Sequence, residues 1–241
     1  MAMKICITND DGIQSEGLLR LVEWANQKGE VHVYAPKVEQ SAKSHAVEIH
    51  KAFEAKPADV PGAVKAWAVD STPADCVRFA VLGQHEHFDL VISGINRGLN
   101  IGQDIMYSGT CSAAMEAVAL GMNAMALSTE PETFDEAFNY LDKVWDYITE
   151  KKLYDKARLW NVNIPLNTNG EIRITRQGGP YYSDDFAPVG NDMYRPMGKA
   201  VFTPAEHSEF DTDCTLRDRC ISISPLTVDR TDWKAFMALN K

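Results

Sequence analysis

The chain has 241 residues, with 24 Lys and Arg against 34 Asp and Glu, and so a formal charge of −10. Apolar residues at 45% and charged residues at 24% exclude a disordered or collagen-like polymer, and five cysteines without a Cys-x-x-Cys pair exclude a disulfide scaffold or zinc ribbon. The acidic balance argues against DNA as a partner, and no stretch is long and apolar enough for a membrane span.

Residues 3–8 form a short apolar, β-branched run that Asn9-Asp10-Asp11-Gly12 stops. The short apolar start lacks the form of a signal peptide, and an odd number of cysteines suits reduced thiols, so a cytoplasmic protein is expected. Leu18, Leu19, Leu21, Val22, Trp24 and Ala25 recur at helical spacing, with Gly29 just past the last turn. Strands are predicted at 31–35, ended by Pro36, and at 64–69. Thr72-Pro73 opens a helix to about residue 82, with Thr72 as N-cap and Pro73 at the first helical position. A buried strand at 90–93, a glycine-rich loop, a helix at 109–120, a strand at 124–128 and an amphipathic helix at 134–148 follow. This alternation predicts a doubly wound, mainly parallel α/β domain over residues 1–165. From 166 the pattern changes to short alternating runs at 172–175, 200–202 and 221–224, which read as hairpins or arms. With an amphipathic helix at 229–239, residues 166–241 are expected to be a β-rich extension.

Four polar segments fall at the carboxyl ends of predicted strands, where ligands bind in open α/β sheets. They are Thr8-Asn9-Asp10-Asp11-Gly12, Glu39-Gln40-Ser41, Ser93-Gly94-Ile95-Asn96-Arg97-Gly98 and Tyr107-Ser108-Gly109-Thr110. Adjacent carboxylates repel unless a cation lies beside them, and Asp10, Asp11, the Ser41 hydroxyl and the Asn96 amide make an all-oxygen set for a hard divalent ion. Read alone, the pair is equally a helix-capping Asp beside a solvated one. Ser108-Gly109-Thr110 at a helix start offers free N–H groups and hydroxyls to phosphate, although a plain Ser N-cap explains the same letters. The glycine spacing of 94–102 is neither a dinucleotide fingerprint nor a Walker loop.

The strings ITNDDGIQSEGL, EQS, VISGINRGLNIGQDIMYSGTCSAAMEAVALG and WNVNIP, with TRQGGPYYSDDF and DTDCTLRDRCISISPL later, resemble the SurE family of stationary-phase survival proteins. The resemblance runs from Met3 to about Leu226. It implies a divalent-metal-dependent 5′/3′-nucleotidase with a Rossmann-like domain, and metal ligands at Asp10, Asp11, Ser41 and Asn96. It also implies a β-rich extension that builds homodimers or homotetramers. Three places depart from the family pattern: Ala42-Lys43 after Ser41, Cys111-Ser112, and Arg219-Cys220.

The expected reaction is hydrolysis of a nucleoside monophosphate by in-line attack of water. One Mg²⁺ or Mn²⁺ per subunit is expected, in a site that Ca²⁺ is also able to occupy. Asp10, Asp11 and Asn96 carry the catalytic expectation, and Asn9, Ser108, Gly109 and Thr110 the phosphate-binding one. Asp104 or a water supplies the leaving-group proton. The other class the sequence allows is a nucleotide-binding module without turnover. His85-Glu86-His87 lies between a helix end and a strand and reads as a solvated turn, His45 as a packed or substrate-facing histidine, and Cys111 as a buried thiol.

Overall fold

The computed structural model describes residues 2–205 and 209–240. Its centre is a nine-stranded sheet ordered β3-β4-β2-β1-β5-β6-β7-β13-β8. In chain order the first-half strands are β1 (Met3–Thr8), β2 (Gly29–Pro36), β3 (Ala55–Pro57), β4 (Lys65–Val69), β5 (Leu90–Arg97), β6 (Asn123–Thr129) and β7 (Leu159–Ile164). The later ones are β8 (Ile172–Ile174), β9 (Tyr182–Ser183), β10 (Phe186–Gly190), β11 (Met193–Pro196), β12 (Lys199–Ala200) and β13 (Ile221–Leu226). From β4 through β2, β1, β5 and β6 to β7 every pairing is parallel. β3 and β13 add antiparallel pairings at the two flanks.

Helices cover both faces because the buried strands present apolar side chains on both. α1 (Glu16–Ala25) and α4 (Asp135–Glu150) lie on one face, through Leu18, Leu21 and Val22 and through Leu141, Val144 and Ile148. α2 (Pro73–Arg78) and α3 (Gly109–Ala119) lie on the other, through Cys76 and Val77 and through Ala113, Ala114 and Ala117. The Ala-rich face of α3 brings its backbone close to the sheet. Ile92, fully buried at the centre, belongs to the kind of site where truncation to Ala costs about 2–5 kcal/mol.

Several expectations are refined. The strand expected at 90–93 runs on to Arg97, with an irregularity between Ser93 and Asn96, because Asn96 and Arg97 pair with Ser128 and Thr129 of β6. The run at 221–224 is no arm: β13 enters the main sheet between β7 and β8. Its Ile221 and Ile223 complete the core under α4. The run at 200–202 shrinks to β12, which pairs with β9, while β10 and β11 form a separate hairpin. α5 (Trp233–Leu239) starts at an Asp232 cap and buries no residue in the chain.

Chain order turns back at β1. From it the chain builds outward through β2 to β4, then crosses to β5 on the other side. The carboxyl ends of β1 and β5 therefore bound the crevice where open α/β sheets bind ligands.

Candidate active site at the carboxyl edge of the sheet

β1 ends at Thr8, and the next residues turn sharply. Asn9 builds this turn: its Nδ2 donates to Gly12 O at 3.0 Å and to Ser15 Oγ at 2.7 Å, and its Oδ1 accepts from Gly12 N–H at 3.2 Å. Gly12 takes φ +98°, which an L side chain rarely adopts. Asn9 was expected to bind phosphate; here its side chain is engaged at both ends and holds the turn that aims Asp10.

Asp10 is 5% exposed. The Thr110 hydroxyl donates to its Oδ1 at 2.5 Å, from the first turn of α3. Burial pushes the Asp10 carboxyl up to about 6, with the Thr110 hydrogen bond opposing and the Asp11 charge adding to the rise. Gly109 makes this approach possible, since a Cβ there would lie 2.8 Å from both Asp10 Cβ and Asp10 Oδ2. Ser108 caps α3, its Oγ accepting from Cys111 N–H at 3.0 Å. The expected helix start and the expected carboxylate thus meet, although a hundred residues separate them.

Asp11 is half-buried and accepts weakly from Arg97 N–H, at 3.4 Å. Burial, with the Glu39 charge behind it, raises its carboxyl as well. The neighbouring Asn96 donates from Nδ2 to Gly98 O at 2.7 Å, which leaves its Oδ1 as the atom free to meet a ligand. Gln40 N–H donates to Asp10 O at 2.7 Å and ties the next segment to this edge. Ser41 is exposed and donates its hydroxyl proton to Glu39 Oε1 at 2.7 Å, keeping the oxygen lone pairs available as acceptors.

Among the described residues no cluster of three or more His, Cys, Asp or Glu side chains is placed to hold a metal ion. A cation here would rest on two carboxylates and neutral oxygens. That set fits a hard divalent ion by its chemistry: burial raises both carboxyls, and the Ser41 hydroxyl and Asn96 Oδ1 are oxygen donors of the kind such an ion takes. Below it, Thr8 at the end of β1 and Ser93 within β5 pair in register, fully buried, and among the described residues their hydroxyl oxygens have no partner. This polar floor lies on the face that α2 and α3 cover.

Two anchoring networks lie outside the expected site residues. Asn100 is clamped by β7: its N–H donates to Asn163 Oδ1 at 2.8 Å, and its carbonyl accepts from Asn161 at 2.8 Å and from Asn163 at 3.0 Å. Asp211 is fully buried and accepts from the N–H groups of Gly102 (3.0 Å), Gly178 (2.7 Å) and Thr212 (2.8 Å). Burial nevertheless pushes its carboxyl up to about 6. These bonds fasten the loop leading to Ser108 onto β7 and onto the second half of the chain. Two polar residues at period two in an otherwise apolar strand, Asn161 and Asn163, are the one clue the sequence held.

Asp104 lies apart from the carboxylate pair, against Asp184 and the Tyr182 N–H, and burial raises it. His45 is packed, its Nε2 2.8 Å from Glu116 Oε2, and Glu116 also meets Arg78 at 2.9 Å. Glu86 of the His85-Glu86-His87 turn is held by Lys4 and Lys65, and falls to about 2 because of those bonds. A cavity of about 1000 Å³ lined by Lys4, Asp89, Asn123 and Tyr154 lies at the opposite edge of the sheet and contains none of the candidate residues.

Comparison with known proteins shows the family of the chain. The family model described as Survival protein SurE matches residues 5–184. The 5′-nucleotidase SurE of Thermoanaerobacter sp. (strain X514) is 38% identical over 249 residues, covering 99% of this chain and 97% of that protein. The 5′-nucleotidase SurE of Thermococcus gammatolerans is 35% identical over 248 residues, covering 95% and 91%. The crystal structure of the SurE protein from Aquifex aeolicus superposes with a TM-score of 0.77 at 31% identity, over 98% of each chain.

Proposed function

This chain belongs to the SurE family, and from that membership we propose that it is a divalent-metal-dependent phosphomonoesterase that hydrolyses nucleoside 5′-monophosphates to nucleoside and phosphate. Nucleoside 3′-monophosphates are a second substrate class on this reading. The observation that carries it is the buried Asp10 carboxylate, pressed against Gly109 and held by Thr110 where α3 begins. A module that only bound phosphate would gain nothing from two carboxylates beside its anion.

Asp10, Asp11, the Ser41 hydroxyl and the Asn96 Oδ1 would hold one Mg²⁺ or Mn²⁺. When bound, such an ion neutralises the carboxylates, withdraws charge from a phosphoryl oxygen and makes water more acidic. The chain's own part is positioning. We read the Gly109 N–H as the backbone donor to a phosphoryl oxygen, since Cys111 N–H is taken by Ser108 and Thr110 N–H by Asp10, with the positive end of the helix dipole behind it. The Thr110 hydroxyl orients Asp10, Ser108 caps the helix, and the Asn100 and Asp211 clamps hold the loop so that these donors need not reorganise. Water attacks phosphorus in line, the P–O5′ bond breaks, and the leaving oxygen takes a proton.

The test is phosphate release from AMP with Mn²⁺, with Mg²⁺ and with a chelator. Release that needs the cation is expected, and Asp10→Asn should lower kcat/KM by on the order of 100-fold or more while the circular dichroism spectrum is unchanged. Release that ignores the chelator, or an Asp10→Asn variant of full activity, would overturn the reading.

We also infer a homodimer or homotetramer built through residues 166–241. Phe186, Met193 and Tyr194 in the hairpin and Trp233, Phe236 and Leu239 in α5 are all exposed, and such apolar groups call for a covering partner. Five free, buried cysteines suit a reducing cytoplasm, and among the described residues no helix is long and apolar enough to cross a membrane.

A further inference from the structure

The proposed site is short of positive charge. Asp10, Asp11 and Glu39 lie along one edge, and a divalent ion offsets only two of the three. A phosphate monoester adds nearly two negative charges at neutral pH. A protein cation is needed on the phosphate side.

The cations near this edge are mostly engaged. Arg97 meets Glu16 at 3.5 Å and Pro131 O at 3.2 Å, and lies over the Phe134 ring at 4.8 Å. Arg78 meets Glu116 at 2.9 Å, and Lys37 meets Glu54 at 3.1 Å. Lys43 is exposed, and among the described residues its ammonium has no ion-pair partner.

The backbone sets where Lys43 stands. Gln40 N–H is fixed to Asp10 O at 2.7 Å, and Ser44 N–H to Tyr107 O at 3.0 Å. Residues 41–43 therefore bridge from the carboxylate pair to the residue before Ser108. Beyond them the strap is held by the His45–Glu116 pair, by Glu48 N–H on Asp75 at 2.9 Å and by the Thr72 hydroxyl on Ala46 O at 2.7 Å. Ala42 at φ 55° and Ser44 at φ 53° flank Lys43, both left-handed without being glycine, a conformation that persists where surroundings impose it. A flexible four-carbon stem on such a bridge is long enough to bring its charge to the mouth of the site.

We propose that Lys43 is a substrate-binding residue whose ammonium meets the phosphoryl group presented to the start of α3. The inference rests on the phosphomonoesterase reading and adds the residue that draws the dianion to an acidic protein.

The test uses the full-length protein loaded with Mn²⁺. Lys43→Ala should raise KM for AMP about 5- to 10-fold with kcat within about 2-fold, the pattern of lost binding. Lys43→Glu should raise KM further, Lys43→Arg should restore most of it, and added KCl should weaken the wild type more than Lys43→Ala. Calorimetric titration with inorganic phosphate should show the same loss with no turnover involved, while Mn²⁺ affinity is unchanged. If the wild type releases no phosphate from AMP, the phosphomonoesterase reading fails, and the phosphate titration alone then decides the role of Lys43. Wild-type phosphate affinity in both Lys43→Ala and Lys43→Glu overturns the proposal. So does a loss confined to kcat, or one matched by weaker Mn²⁺ binding.

Discussion

Asp211 shows how one carboxylate can serve a site it does not belong to. It takes three backbone N–H groups from Gly102, Gly178 and Thr212, yet burial holds its carboxyl up at about 6 against an ordinary 3.8. A folded value above the unfolded one means the contribution to stability is full below the unfolded value and is lost as pH rises through about 6. Asp211→Asn should remove that slope, so that urea unfolding in chelator at about pH 4.5 and about pH 7.5 differs less than in wild type. It should also cost about 1–3 kcal/mol, because its amide NH₂ would face an N–H donor. A variant with the wild-type slope would deny Asp211 this part. At this scale Asp10, Asp11 and Asn96 stand out in the sequence because charge and amide groups are unusual at the exit of an apolar strand. Asn9 reads the same way, and its side chain also builds the turn, a use that depends on which backbone atoms the turn brings within reach. Asp211 stands inside one of the strings that carry the family resemblance, but its role is not legible there, because partners such as Gly102 and Gly178 come from distant segments.

The first turn of α3 is the element on which the proposed chemistry depends. Ser108 and Thr72 are legible as caps because capping is local, and both accept the expected N–H, at 3.0 Å from Cys111 and 3.1 Å from Asp75. Which carboxylate the helix faces is a tertiary fact that capping letters do not hold. Gly109→Ala tests the contact directly. Its Cβ would sit 2.8 Å from Asp10, so the helix or the carboxylate must move. The displacement should lower kcat/KM by about 100-fold, and overpacking should cost about 1–3 kcal/mol by thermal melt. Full activity in Gly109→Ala would show that the close approach is dispensable. The extension of β5 to Arg97 was hidden for a related reason: Gly94 and Gly98 read as loop letters, while pairing with β6 keeps the strand going.

For the molecule as a whole, the alternation of strand and helix signals in the first half was enough to read the doubly wound sheet, since each βαβ unit is local and its handedness is fixed. The second half was harder because β8 and β13 are short and owe their place to partners far along the chain. Cation binding should stabilise the whole fold if it selects the native state. Mn²⁺ at a hundred times its Kd adds about 2.7 kcal/mol, or about 5–10 °C in melting temperature for a chain of this size. A chelator should abolish the shift, and Asp10→Asn should never show it; equal melting curves with and without Mn²⁺ would count against the cation site. Light scattering on a sizing column should give a multiple of the chain mass, and Trp233→Asp with Phe236→Asp should reduce it. A monomeric wild type would remove the oligomer reading. The position of β13 also sets an order of assembly. Among the described residues β8 pairs in the sheet only with β13, so its ladder hydrogen bonds require a strand that comes much later in the chain. The proposed metal ligands, by contrast, all lie upstream of residue 97. Because Asp211 follows all four of them in the chain, the loop before Ser108 gains this anchor only once residue 211 has been made, after the proposed ligands themselves.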